Sequence, residues 1–308
     1  MIREQLDDIR YGQIEAGILD AIFPECDGVN TLSGKLRRIA IDRNYESLVE
    51  LNLPEQIRVR PQEGFAYYAL YPDQYARAAR RFKREQQPSR CTVIGIRSIG
   101  TTLAAEVVRA LGCACESWTV RPHGHPFDRR VCLHPDLQVR VGDWHLVVDE
   151  GPGISGSSFA AVADALNERG VPDERIVFFP SYEPDREALC SERARARWYR
   201  HRIYVEPFDE AGLIPSGARD LSGGAWREVV GLDVPVQPSH ERRKYLHEGR
   251  LLKFAGLGRY GESKLRRAHA LVRFVPQAEK LENGFLVTSW VPGVPAAIVD
   301  PGLLWSMA

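Results

Sequence analysis

The sequence predicts an α/β protein: a mostly parallel sheet flanked by helices, with a helical N-terminal extension and a small C-terminal α+β unit. Three observations predict it. From Cys91 onward, short apolar runs rich in β-branched residues alternate with stretches of helical periodicity, the texture of strand–helix–strand repeats. Two of those runs, CTVIGI (91–96) and WHLVV (144–148), each lead into a glycine-bearing polar loop. Before residue 91, apolar residues recur at helical spacing instead.

Taken in order, Leu6, Ile9, Ile14, Ile18 and Ile22 line one side of a first helix. YPDQYARAARRFKRE (71–85) has a proline start and an alanine-rich, basic body, which predicts a second. Its run of Arg77, Arg80, Arg81, Lys83 and Arg84 reads as a solvated face, with nucleic-acid contact the minor reading. EQQPSR (85–90) breaks the helix before the strand CTVIGI. Leu103, Ala104, Val107, Val108 and Leu111 then return at helical spacing, and Gly112 supplies the stop. ESWTV (116–120) and WHLVV follow as strands. Phe159, Val162, Ala163 and Leu166 mark a helix closed by Gly170 and Pro172, before the strands RIVFF (175–179) and RIYVE (202–206). Beyond residue 207 the pattern loosens, and DVPVQPSHERR (233–243) reads as a boundary. The expected domains are a mainly helical extension or hood over 1–90, the α/β domain over 91–232, and a C-terminal unit over 233–308.

The composition is that of an ordinary globular protein, 44% hydrophobic and 27% charged over 308 residues. Its 41 basic and 41 acidic side chains give a formal net charge of zero, so no global field points to nucleic acid or an anionic membrane. No run approaches the roughly 20 apolar residues that cross a bilayer. MIREQLDDIRYGQ lacks the apolar core of a signal peptide. The six cysteines are scattered without a CxxC pair, and only Cys113 and Cys115 are close. Buried or free thiols, and a cytoplasmic protein, are the expectation.

Parallel sheets bind ligands at the carboxyl ends of their strands, where both glycine-bearing loops lie. In DEGPGISGSS, Gly151, Gly153 and Gly156 let backbone amides turn inward, and Ser155, Ser157 and Ser158 offer hydroxyls at the start of a helix. That combination is an anion site suited to phosphate. Asp149 and Glu150 before it repel one another unless they share a polar ligand: a vicinal diol, or a hydrated divalent cation. Phosphate and diol at that separation describe a ribose 5-phosphate. The loop has neither the GxxxxGK[ST] nor the GxGxxG order.

These residues resemble the 5-phosphoribosyl-1-diphosphate (PRPP) motif of type I phosphoribosyltransferases: an apolar strand, two acids, a short turn, then T-G-x-T, here LVV, Asp149-Glu150 and Ser155-Gly156-Ser157-Ser158. Glu150 stands where Asp is commoner, and the turn is one residue longer. The stretch Gly95 to Ala104 is similar to the family's diphosphate loop, with Arg97 in place of proline and Ile99-Gly100 in place of Gly-Gly. The resemblance covers about residues 91–206. It implies that Asp149 and Glu150 hold the ribose hydroxyls and Mg²⁺. It implies that Gly153, Ser155, Gly156, Ser157 and Ser158 hold the 5-phosphate, and that Arg97, Ser98, Gly100 and Thr101 receive the diphosphate. Between the motifs, VRPHGHPFDRRVCLHPD (120–136) occupies the place of the family's mobile loop. There Arg121 and His123, as catalytic groups, with His125, Arg129 and Arg130 would neutralise a departing diphosphate. A zinc site of His123, His125, His134 and Cys132, or an inert surface loop, are the other readings of that segment.

The implied reaction is Mg²⁺-assisted transfer between ribose C1 and a nitrogen acceptor of nucleobase type, with diphosphate leaving. The alternative is a non-catalytic regulatory protein that binds PRPP or a nucleotide. Tyr67, Tyr68 and Tyr71 would stack on a base or fill the core. The long N-terminal region resembles PRPP-binding proteins of bacterial stress and tellurium-resistance-associated gene clusters. The segment from His247 to Leu271, followed by GFLVTSWVPG (284–293), resembles the N-lobe of aminoglycoside-phosphotransferase-like kinases, with Lys253 and Glu262 in the places of the phosphate-positioning pair. No second-lobe motif follows, so that unit is expected to be a docking module for a second copy or a partner protein, or its Lys253 and Glu262 an ordinary surface pair.

Overall fold

The computed structural model describes residues 2–23, 31–133, 137, 139–208, 212–236 and 241–293. The chain divides into two compact units, one of residues 1–62 with 70–208, the other of 63–69 with 209–308.

In the first unit, α1 (Ile2–Ile22), α2 (Thr31–Asp42) and a 3₁₀ turn (Tyr45–Glu50) form a helical layer. Ile18, Leu19, Leu36 and Ile39 bury their side chains there, with Ile14 and Ile22 partly covered. The short α3 (Glu63–Tyr67) belongs to the other unit. Next comes α4 (Pro72–Gln86), which opens on its proline and carries Lys83 and Arg84 in its last turn, where cations suit the helix dipole. Its charged run is only partly a free face. Arg77 pairs with Asp73 and reaches Pro207 O, and Arg81 donates to Val205 O.

The sheet follows: β1 (Arg90–Ile96), α5 (Ile99–Leu111), β2 (Ala114–Val120), a hairpin of β3 (His123–His125) and β4 (Asp128–Arg130), β5 (Trp144–Val148), α6 (Ser157–Glu168), β6 (Ile176–Phe179), α7 (Glu192–Arg200) and β7 (Arg202–Ile203). The strand order is β2-β1-β5-β6-β7, every pairing parallel. The order reverses at β1, so loops leaving β1 and β5 in opposite directions open a crevice between adjacent strand ends. Strand period two sorts the side chains. Ile94, Ile96, Val147 and Phe178 pack with Phe159, Val162 and Trp198 of α6 and α7. On the other face, Phe82 of α4 stacks edge-on against Trp144, Phe179 and Tyr204. The predicted stops hold their geometry: Gly112 caps α5 at φ 55°, the left-handed region that glycine enters without strain.

The second unit holds β8 (Arg219–Asp220), α8 (Trp226–Val230), β9 (Lys244–His247), β10 (Arg250–Phe254), α9 (Arg259–Ala270), β11 (Ala278–Glu282) and β12 (Phe285–Ser289). Its sheet is antiparallel in the order β11-β12-β10-β9-β8. Tyr245, Phe254 and Phe285 form an aromatic core. Segment 63–69 joins it through Leu257 N–H donating to Phe65 O, and Tyr67 lies under the Arg242 guanidinium and the Lys264 ammonium. The Tyr67 ring is thus a cation–π partner inside this unit. Lys253 and Glu262 form no ion pair among the described residues.

Candidate functional site

The crevice is built by two glycines before it is built by any polar group. A Cβ on Gly100 would stand 2.5 Å from Val148 O, and one on Gly95 would run into Gly100 O. The first turn of α5 therefore seats directly against the ends of β1 and β5. Gln62 supports the same turn from below, its amide 3.3 Å from Ser98 O and from Thr102 Oγ1. The Arg97–Ser98 peptide bond is cis.

Arg97 and Arg121 leave β1 and β2 side by side and meet one carboxylate. Asp20 of α1 accepts from Arg97 at 3.0 Å and takes a two-pronged bond from Arg121 at 3.0 and 2.6 Å. Arg121 also donates to Arg97 O and, at 3.0 Å, to Ser98 Oγ. The Arg97 side chain is fully buried. Its buried charge is offset by the Asp20 carboxylate, which Nη1 reaches at 3.0 Å. Asp20, 77 and 101 residues away from these partners, carries no motif that would have announced it.

At the end of β5, Asp149 and Glu150 are half-buried, and Tyr75 of α4 donates to Asp149 O at 2.6 Å. Burial and then the Glu150 charge hold the Asp149 carboxyl well above the usual carboxylate range, against the Glu150 backbone N–H and Arg121. Ser181 closes the loop from the next strand, donating to Glu150 O through its N–H and its hydroxyl.

The serine loop is already engaged. Ser155 Oγ and Ser157 Oγ both donate to Pro126 O, at 3.0 and 2.6 Å, and lie 3.0 Å from each other. Pro126 is the tip of the β3–β4 hairpin, so the segment expected as a mobile loop forms a hairpin docked onto the start of α6. Arg193 fastens it, donating to Arg129 O at 2.7 Å and pairing with Asp128 at 3.1 Å. Gly156 sits at φ 66°, and a Cβ there would strike the Trp198 indole, whose N–H donates to Gly156 O at 3.1 Å. Gly153, also left-handed at φ 62°, faces open space, and Ser158 is half-buried.

The expected residues therefore fall into three places. Arg97, Ser98 and Arg121 meet around Asp20, with Gly100 between them and Asp149. Ser155, Gly156 and Ser157 meet around Pro126 O. His123, His125 and Arg129, with Arg130, lie on the hairpin, where His125 Nδ1 accepts from Phe127 N–H. Thr101 turns away: its side chain is wholly buried among α1 residues and its carbonyl accepts from Arg37. His134, of the zinc reading, lies outside the described residues. Cys132 is disulfide-bonded, against the expectation of free thiols throughout, because sequence spacing alone does not reveal a bridge. Among the described residues the one metal-competent cluster is of cysteines at the opposite end of the sheet.

No protein-family model matches the chain, and no curated protein does. Among solved structures, the purine phosphoribosyltransferase from Pyrococcus horikoshii Ot3 aligns at a TM-score of 0.29 and 18% identity, over 36% of this chain and 71% of that one. Similarity at this level leaves the function to the residues themselves. No helix among the described residues is long and apolar enough to cross a membrane.

Proposed function

We propose that the chain is a PRPP-dependent phosphoribosyltransferase acting at the β1–β5 crevice. One observation carries the proposal: the acid pair and the serine loop leave β5 at the point where the strand order reverses, beside the arginine-bearing turn that leaves β1. Asp149 and Glu150 accept from the ribose hydroxyls. Ser155 and Ser157, freed from Pro126 O, donate to the 5-phosphate together with the first amides of α6. Arg97 and Arg121 face the diphosphate, and Ser98 orients Arg121 through its hydroxyl. A nitrogen lone pair of the acceptor then forms the bond to C1 while the C1–O bond breaks and diphosphate leaves with the electron pair. Positioning and electrostatics supply the rate, since the protein forms no covalent bond.

The acid pair fits a divalent cation, because burial and then the adjacent Glu150 charge raise the Asp149 carboxyl above the usual carboxylate range, and a cation offsets both. Asp149 and Glu150 are the residues that would hold Mg²⁺, which supplies charge neutralisation for the departing diphosphate.

The test is thermal unfolding with PRPP and Mg²⁺, followed by diphosphate release across a panel of nucleobases. A ligand that binds only the folded chain raises its stability by mass action. Asp149→Asn with Glu150→Gln is expected to abolish both signals while keeping the fold. Absence of any PRPP-induced shift in the parent chain would sink the proposal. The second reading, a non-catalytic PRPP or nucleotide sensor, is favoured by the hairpin already seated on the serines. A shift with no diphosphate release from any acceptor would select it, and the antiparallel C-terminal unit would then be the surface that reports to a partner.

A further inference from the structure

Three cysteines distant in sequence converge at the amino-terminal end of the same parallel sheet. Parallel pairing sets Cys91 of β1 opposite Cys115 of β2, and residues in register project to the same face. Cys113, at the turn into β2, completes the group. Its sulfur lies 3.6 Å from that of Cys115 and 4.0 Å from that of Cys91, and all three sulfurs fall within 4.8 Å of one another. None of the three is in a disulfide. Cys91 is fully buried, and on its own it would pass as a small core hydrophobe. The other two are half-buried and line the wall of an open cleft of about 680 Å³.

The spacing is that of a coordination shell. At a metal–sulfur distance of about 2.3 Å, sulfurs stand about 3.8 Å apart around a tetrahedral ion and about 4.0 Å apart around a trigonal one. No movement of the strands is needed to bring these sulfurs into that range. Ligand number then narrows the ion. Among the described residues no carboxylate, imidazole or further thiol joins the three within the same span. Structural zinc sites are almost always closed by four protein ligands, whereas thiolates without a fourth partner suit a soft, low-coordinate ion. Three thiolates around a monovalent cation carry a net double negative charge. Lys83 is the cation beside the cluster, its Nζ 3.5 Å from where a Cβ on Gly112 would stand; Arg38, Arg90 and Arg109 also line the cleft but pair with Asp42, with Glu116 and Asp143, and with Asp8 and Glu106.

We infer that Cys91, Cys113 and Cys115 form a three-thiolate site for one soft monovalent metal ion, copper(I) by ligand number and softness. The site is separate from the β1–β5 crevice, and its test does not depend on any activity there. The full-length chain, its Cys132 disulfide left intact, is titrated under anaerobic conditions against the coloured copper(I)–bicinchoninate complex. One equivalent of copper is expected to move to the protein, with a thiolate-to-copper charge-transfer band in the ultraviolet and release of thiol protons. Cys113→Ser with Cys115→Ser, which leaves the buried Cys91 in place, is expected to abolish transfer of copper from bicinchoninate to the protein. Circular dichroism checks that the variant keeps its fold, and Cys190→Ser should bind like the parent. Failure to take copper from bicinchoninate, or binding that survives the double substitution, would overturn the site. Zinc ion displacing copper(I) at equal concentration would overturn the choice of ion.

Discussion

The two loops at the crevice satisfy their polar groups in different currencies. The turn after β1 is part of a cationic knot: Arg97 and, from the end of β2, Arg121 share Asp20, a carboxylate delivered by a distant helix, and Arg60 pairs with it at 3.9 Å. The loop after β5 is held by neutral bonds, two serine hydroxyls donating to one peptide carbonyl, while its own acids face each other. In the proposed reaction an arriving phosphate would have only a carbonyl to displace at the serines. At the arginines a diphosphate would meet an anion already in place, and would have either to add to the cluster or to shift α1. The first loop is therefore the more costly to disturb.

Removing the Asp20 carboxylate tests that difference at its largest. Asp20→Ala takes the anion from between Arg97 and Arg121 and is expected to cost about 3–5 kcal/mol in urea unfolding, with Asp20→Asn costing less. A loss under about 1 kcal/mol would show that the knot contributes little. Gly100→Ala attacks the backbone contact that seats the same turn on Val148 O, and a loss of about 1–3 kcal/mol is expected from overpacking. A neutral result would mean that α5 slides freely on β5.

The acid pair gives a pH signature. The native Asp149 carboxyl holds its proton to higher pH than in the unfolded chain, so folding takes up a proton between those two values. That stabilisation is complete in acid and is lost as pH rises through the native value, at no more than about 1.4 kcal/mol per pH unit. Asp149→Asn should remove the decline: the variant should match the parent near pH 4 and be the more stable at alkaline pH. Parallel stability curves for the two proteins would contradict this. The smallest effect is expected at the neutral loop. Ser157→Ala should cost about 1 kcal/mol and make the hairpin at 123–130 more susceptible to limited proteolysis. Unchanged cleavage would mean that Ser155 and Arg193 suffice to hold it.

What was legible in the sequence is what repeats locally. CTVIGI and WHLVV announce buried strands by their branched side chains, and the observed strands Arg90–Ile96 and Trp144–Val148 differ by one residue at most. RIYVE was harder to place: only Arg202 and Ile203 pair as a strand, although Tyr204 N–H still donates to Phe178 O. Asp149, Glu150 and the glycine turn stood out because like charges and missing side chains are anomalous wherever they occur. Asp20, Pro126 and Cys91 did not, because each matters through a neighbour supplied by sheet order or helix docking. Segment 63–69 left two readings open, a base-stacking platform or core packing. Phe65 and Tyr67 pack within the second unit, the internal packing that such an aromatic run more often serves.

Strand β1, buried from Cys91 onward, carries Cys91 near its start and leads straight into Arg97. Six residues at about 3.3 Å each put roughly 20 Å between sulfur chemistry at one end and oxyanion chemistry at the other. With both proposed sites in place, hard and soft ligands would be insulated from each other's ions. A metal that prefers thiolate has no reason to wander into the carboxylates, and a phosphate-bound cation finds nothing to hold it among the cysteines. One central strand would serve as spacer between two incompatible coordination environments.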